Sequence, residues 1–212
     1  MGFFLKKNLA EAALGVWEIN ESVEELWEKV NLTDFELKYY SFLRSNTRRQ
    51  QWLSYRLILP HLVNVGENTG IEYDEFGKPF LNNGMRHISV SHSGKFSALI
   101  ASPTKNVGID IEQMSPKIFK VAHKFLNSKE LRIVFSSNAM EGLFVIWAAK
   151  EALFKLCGRR NIQFREDIRI FPFEFQGQGT LQGEIINNGS SKVYQLSYLT
   201  IENFIMVFAV DK

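Results

Sequence analysis

The chain has 212 residues, 45% of them hydrophobic and 18 of them Phe, which excludes disorder as a description of the whole and suffices for one large core or two small ones. A formal net charge of +2 with a pI near 8.6 is too mild for a general nucleic-acid binder, so anion binding has to be local. The single cysteine, Cys157, excludes an internal disulfide and favours a reducing compartment.

At the N-terminus Phe3, Phe4 and Leu5 precede Lys6 and Lys7, the reverse of a secretory signal, and Lys6 breaks the myristoylation pattern. The late apolar run 204–210 is far short of the roughly 20 residues that cross a bilayer. The expectation is a cytoplasmic protein without a membrane partner.

Gly15-Val16-Trp17-Glu18-Ile19 alternates as a strand does, and Ser22 caps a helix over 23–30 with an acidic first turn. A second helix is expected over 34–43. A third spans 48–59 with Thr47 as its N-cap, and Pro60 ends or kinks it. Arg48 and Arg49 fall in its first turn, where open backbone N–H groups and the helix dipole already favour an anion. Cations there are either an exposed basic turn or a contact to a ligand phosphate.

Ile71-Glu72-Tyr73 reads as a short strand and Asp74-Glu75-Phe76-Gly77 as a turn, with Lys78-Pro79 following. In His87-Ile88-Ser89-Val90-Ser91-His92-Ser93-Gly94, Ile88 and Val90 share one face and Ser89 and Ser91 the other. His92, Ser91 and Ser93 carry donors suited to a phosphate, although a hairpin with a capped turn would read the same. A buried strand follows over 96–101. Pro103-Thr104-Lys105-Asn106 then turns the chain, and an antiparallel hairpin would set His92 near Asp110.

The next strand, Val107-Gly108-Ile109-Asp110-Ile111-Glu112, places two carboxylates two residues apart in an apolar run. Residues i and i+2 share a face, so Asp110 and Glu112 point together while Ile109 and Ile111 point to a core, the local geometry of a divalent-metal platform. A basic amphipathic helix covers 117–126, with Lys117, Lys120, His123 and Lys124 among apolar residues that include Phe119 and Phe125. Ser128 looks like the start of a further helix. The long helix 141–156, stopped by Gly158, carries Trp147-Ala148-Ala149-Lys150-Glu151-Ala152-Leu153-Phe154-Lys155, with Glu151 and Lys155 one turn apart on one face. Strands are expected at 167–175, 181–186, 192–199 and 203–210, with Asn187-Asn188-Gly189 as a hairpin turn. No repeat is visible by residue identity.

These two stretches, in this order, resemble the 4'-phosphopantetheinyl transferases, whose pattern is Val/Ile-Gly-Ile/Val-Asp, a spacer, then Trp/Phe-x-x-Lys-Glu-Ala/Ser-x-x-Lys. Here 36 residues separate Asp110 from Trp147, slightly fewer than usual, and Ala148 replaces the small hydroxyl or thiol residue common after the aromatic. Neither departure removes a ligand. Gly77-Lys78-Pro79 and the 87–94 stretch match further family regions, and the family carries a basic residue near the helix start at Arg48 or Arg49. The resemblance spans about 48–155; length favours the larger single-chain type, that of the surfactin-synthetase-activating enzyme.

The resemblance implies an α+β fold of two similar half-domains, a pseudo-dimer of residues 1–103 and 104–212, each a small antiparallel sheet packed with helices, with the active site in the cleft between them. It implies a monomeric enzyme that moves the 4'-phosphopantetheine arm of coenzyme A onto a serine of an apo acyl or peptidyl carrier protein, releasing adenosine 3',5'-bisphosphate. Asp110, Glu112 and Glu151 would ligate Mg2+. Glu151 would be the base and Lys155 would neutralise the α-phosphate and leaving group, with Lys150 as a secondary contact. Arg48 or Arg49, Lys78, Ser91 and His92 would meet the coenzyme A phosphates, and the lysines of 117–126 would steer an acidic carrier. Two other readings use the same residues: an inactive coenzyme A or carrier-binding module, and a metal-dependent phosphodiesterase. The latter fits poorly with four scattered histidines at 61, 87, 92 and 123.

Overall fold

The computed structural model describes all residues except 1, 65, 67, 68, 85, 86, 132–137, 159–161, 188 and 212. The chain divides into two compact units, Met1–Asn106 and Val107–Lys212. Both are mixed α+β units with antiparallel sheets. Among the described residues no helix is long and apolar enough to cross a membrane.

The first unit runs β1 (Phe3–Asn8), β2 (Ala13–Glu18), α1 (Val23–Trp27), α2 (Asp34–Ser41), α3 (Asn46–Leu62), β3 (Ile71–Tyr73), β4 (Pro79–Leu81), β5 (Ile88–Ser93) and β6 (Phe96–Ala101). Four of its strands form one sheet in the order β1-β2-β6-β5, and β3 pairs with β4. The long helix α3 lies against β2 and β6. Trp52, Leu53 and Ile58 of α3 join Leu26, Ile71, Ile88 and Leu99 in its core.

Local chemistry explains where these helices begin. Ser22 and Thr33 each form a capping box with the glutamate three residues on, Glu25 and Glu36. The cap of α3 is Ser45, whose Oγ accepts from Arg48 N at 3.2 Å, and not Thr47, which lies inside the helix. Pro60 is also inside α3, which continues to Leu62. A proline this close to the C-terminus removes one intrahelical bond without preventing the final turn. The strands β1 and β4 were not expected, since neither shows a clean alternation of apolar and polar residues.

Glu36 does more than cap. Its Oε1 accepts from Arg56 Nε at 2.7 Å and from Ile71 N at 2.9 Å, while Oε2 accepts from Thr33 N at 3.1 Å. The Arg56 guanidinium also sits 3.2 Å from the centre of the Trp52 ring. Glu36 and Arg56 are both buried, so one carboxylate fastens α2, α3 and β3 together.

The second unit runs β7 (Val107–Gln113), α4 (Ile118–Phe125), α5 (Ala139–Cys157), β8 (Ile168–Ile170), β9 (Gln178–Asn187), β10 (Ser190–Ile201) and β11 (Phe204–Val210). Its sheet has the order β7-β11-β10-β9-β8, and α5 packs on β7 and β11. The expected hairpin between 96–101 and the Asp110 strand does not form: β6 pairs with β2 and β5, whereas β7 pairs with the last strand, β11. The β9–β10 hairpin turns where Asn187-Asn188-Gly189 was read, with Gly189 at φ +79°; Asn188 lies outside the described residues. The strand read over 167–175 is only three residues long, and the helix start read at Ser128 is capped instead by Asn127, whose Oδ1 accepts from Lys129 N and Glu130 N. Gly158 ends α5 in the left-handed region at φ +63°, as expected.

The Glu36 cluster generates a stability prediction. Glu36→Ala leaves the Arg56 charge buried without its carboxylate and the Ile71 N–H without an acceptor. Urea denaturation followed by tryptophan fluorescence is expected to show a loss of about 3–5 kcal/mol; a loss below about 1 kcal/mol would show that the pair does not hold this unit together.

Candidate functional site

Strand β7 carries its side chains alternately, so Gly108, Asp110 and Glu112 share the face turned to α5, while Val107, Ile109 and Ile111 point the other way and are fully buried. The approach of helix to strand is set at Gly108. A Cβ built there would lie 1.9 Å from the Ala152 carbonyl oxygen. Glycine at 108 and the buried alanines 148, 149 and 152 let the two backbones meet without intervening side chains.

That contact brings the motif residues of α5 to those of β7. Lys155 Nζ donates to Asp110 Oδ1 at 2.7 Å and to the Ile109 carbonyl at 3.1 Å. Trp147 Nε1, one turn before Glu151, donates to Glu112 Oε1 at 3.0 Å. Burial, then the Asp110 charge, pushes the Glu151 carboxyl up to about 7, with Glu112 adding to the rise and Lys155 opposing it. Asp110, Glu112, Glu151 and Lys155 therefore form one electrostatic cluster. Among the described residues no set of three or more His, Cys, Asp or Glu side chains is gathered as a ready-made metal cage. The donor set nonetheless suits a hard divalent cation: burial first, then the charges of Asp110 and Glu112, disfavour ionised Glu151, and a cation beside these oxygens would favour it.

Lys150 has another role from the one expected. It is fully buried, its Nζ pairs with Glu130 Oε2 at 2.9 Å and donates to the Phe125 carbonyl at 2.7 Å and, more weakly, to that of Phe164 at 3.4 Å. Burial lowers its pKa while Glu130 pulls the other way. An ammonium enclosed by three oxygens within the core has no face for a phosphate. Glu130, missed in the sequence reading, also accepts from Ile170 N at 2.7 Å and from Asn127 N at 2.9 Å. The pattern Asn127-x-x-Glu130 is a capping signature that could have revealed it.

In the first unit Arg48 and His92 are brought together, the Arg48 Nη1 meeting His92 Nε2 in a close contact. Arg49 turns away: its Nε donates to the Leu43 carbonyl at 2.9 Å and its guanidinium lies 5.2 Å from the centre of the Tyr40 ring. Ser91 is buried and, as the strand neighbour of His92, points to the opposite face of β5. Lys78 sits at the end of a turn built on Asp74, whose Oδ1 accepts from Phe76 N and Lys78 N, with Gly77 at φ +79°. On α4, Lys117, Lys120 and Lys124 are exposed with Phe119, whereas Phe125 is buried in the core and cannot anchor a partner.

Comparison with known proteins bears on this arrangement. Residues 106–209 match the family model of the 4'-phosphopantetheinyl transferase superfamily. Among curated relatives, a 4'-phosphopantetheinyl transferase gsp of Aneurinibacillus migulanus is 28% identical over 160 residues, 65% of this chain and 66% of the relative. The 4'-phosphopantetheinyl transferase AcpT of Escherichia coli O157:H7 is 32% identical over 117 residues, 52% of this chain and 59% of the relative. A 4'-phosphopantetheinyl transferase of Bacillus subtilis is 30% identical over 99 residues, 45% of this chain and 43% of the relative. The chain thus spans at most 66% of the length of these relatives. The resemblance read from the motifs is borne out, and the matched region contains Asp110, Glu112, Glu151 and Lys155.

The close packing predicts that Gly108→Ala is costly although alanine fits an extended strand. The added methyl meets a backbone carbonyl that no rotamer change can move, so overpacking should cost at least about 1–3 kcal/mol. Chemical denaturation checks this, and an alanine variant as stable as the parent would mean that β7 and α5 are farther apart.

Proposed function

We propose that this chain, similar to the 4'-phosphopantetheinyl transferase superfamily over residues 106–209, transfers the 4'-phosphopantetheine arm of coenzyme A to a serine of an apo acyl or peptidyl carrier protein. The observation that carries the proposal is the cluster of Asp110, Glu112, Glu151 and Lys155 assembled by β7 and α5 within that matched region. The carrier serine oxygen attacks the pantetheine-bearing phosphorus, the bond to the bridging pyrophosphate oxygen breaks, and adenosine 3',5'-bisphosphate leaves. Such a reaction needs charge neutralisation at the pyrophosphate, a held nucleophile and a base for its proton.

Asp110, Glu112 and Glu151 would hold Mg2+, which when bound supplies charge neutralisation to the pyrophosphate oxygens. Glu151 takes the serine proton; a carboxylate is a weak base for an alcohol, so the step depends on the charge neutralisation that Mg2+ would supply beside it. Lys155, held beside Asp110, neutralises the α-phosphate and the charge developing on the leaving group. Arg48, His92 and Lys78 serve the remaining coenzyme A phosphates. Of the two arginines, Arg48 is the better candidate because Arg49 is committed to Leu43 and Tyr40. Lys150 is left out of the phosphate contacts. The exposed lysines of α4, with Phe119, are the proposed docking face for an acidic carrier.

The decisive assay incubates the protein with coenzyme A, Mg2+ and an apo carrier and weighs the carrier. Gain of one phosphopantetheine arm supports transfer. Coenzyme A binding without that gain would leave an inactive module, and carrier-independent cleavage of a phosphodiester would point to hydrolysis. Asp110→Ala is expected to abolish transfer with the thermal midpoint held within a few degrees; near-normal turnover would remove Asp110 from the site.

A second prediction concerns the two binding faces. Lys78→Ala and Arg48→Ala should weaken coenzyme A binding, measured by calorimetry, more at low salt than at high salt. Reversing Lys120 and Lys124 to Glu should instead raise KM for an acidic carrier through slower association, with coenzyme A affinity nearly unchanged. Carrier kinetics insensitive to both reversals and to salt would rule out α4 as the docking face.

A further inference from the structure

The indole N–H of Trp147 donates to Glu112 Oε1, and two phenylalanine rings hold the indole. The Phe125 ring meets that of Trp147 edge-on at 5.2 Å, and the Phe164 ring is tilted against it at 5.3 Å. The backbone carbonyls of these same two phenylalanines, Phe125 and Phe164, both accept from Lys150 Nζ. Lys150 in turn is fixed by Glu130, which is itself tied to β8 through Ile170 N and to the loop after α4 through Asn127 N. A single buried ammonium therefore pins both walls of the slot in which Trp147 lies.

We infer that Trp147 is a positioning residue for Glu112, and that the Glu130–Lys150 pair acts through the Phe125 and Phe164 walls to keep its indole N–H on that carboxylate. The inference rests on the proposed metal role of Glu112. A carboxylate offers about four lone-pair sites, so accepting the indole N–H at Oε1 fixes its plane while leaving capacity for a cation. Hydrogen-bond partners of this kind, one step removed from a metal, orient the ligand, and their loss costs metal affinity more than fold. Tryptophan is required for the N–H and for the width of the slot; phenylalanine would keep most of the packing and lose only the donor.

The test is a Mn2+ titration of the full chain, with free Mn2+ read by electron paramagnetic resonance and thermal midpoints recorded in parallel. The parent should bind Mn2+ and Asp110→Ala should not; failure of either result sinks the metal assignment itself and this inference with it. Given both, Trp147→Phe should bind roughly tenfold more weakly, and in a Glu112→Ala background, which removes the acceptor, the same change should cost little more, because its effect passes through Glu112. Parental affinity in Trp147→Phe, or an undiminished loss in the Glu112→Ala background, overturns the positioning role. The double variant Glu130→Gln, Lys150→Met removes both buried charges together, which avoids stranding either one. It should weaken Mn2+ binding to a similar degree and add little to Trp147→Phe. Parental affinity in the double variant would refute the part assigned to the ion pair.

Discussion

Between β7 and α5 the two backbones touch, and the chemistry of the second unit follows from that contact. With no side chain at 108, the Ala152 carbonyl comes to where a Cβ would stand, and the helix settles with Lys155 within hydrogen-bond reach of Asp110. A larger residue at 108 would push α5 outward and separate the lysine from the aspartate. The clustering of like charges is also a consequence. Asp110 and Glu151 stand on a strand and a helix that meet this closely, so burial first and the Asp110 charge second push the Glu151 carboxyl up to about 7.

Charge brought into a core needs something to hold it, and each unit uses the same device. In the first, a glutamate at the third position of a capping box, Glu36, takes a strand N–H from Ile71 and the guanidinium of Arg56 on the long helix. In the second, Glu130 follows Asn127 in the same spacing and takes the Ile170 N–H and the ammonium of Lys150 on the long helix. The interval from glutamate to cation is identical in both. The long helix packs in both on a strand early in the unit and on its last strand, and each of those early strands has a glycine under the helix: Gly15 beneath Ile58 and Gly108 beneath Ala152. The repetition is thus one of interactions. Arginine for lysine and threonine for asparagine preserve it while erasing residue identity.

The same pairs separate the two units chemically. The first unit has Trp17 and Ile19 after its glycine where the second has Asp110 and Glu112, so its strand presents apolar bulk to the helix and fills a core. Among the described residues it is the second unit that brings acidic groups together between strand and helix, and it is this region that the superfamily model matches. The first unit, by itself, carries basic groups at a helix start and a tight turn, a setting in which backbone donors and cations recognise phosphates in proteins generally.

By itself the sequence determined the elements whose signals are local: the helices at 23, 34 and in the 140s, the left-handed stop at Gly158, and the strand–helix motif that shares one face between Asp110 and Glu112 and another between Glu151 and Lys155. Periodicity and capping are properties of a few consecutive residues, so they can be read without a fold. The sequence left open which of Arg48 and Arg49 turns toward His92, because a helix start fixes neighbours and not the rotation of the whole helix against a sheet. It also misjudged Lys150, which looks like a surface cation from its motif. Only packing against Glu130, Phe125 and Phe164, residues distant in the chain, decided that this lysine is internal and that Trp147 reaches Glu112. Strand partners were likewise beyond local signals: closeness in the chain pointed to a hairpin of β6 with β7, whereas the tertiary structure pairs β7 with β11, the last strand, which lies between β7 and β10 beneath α5.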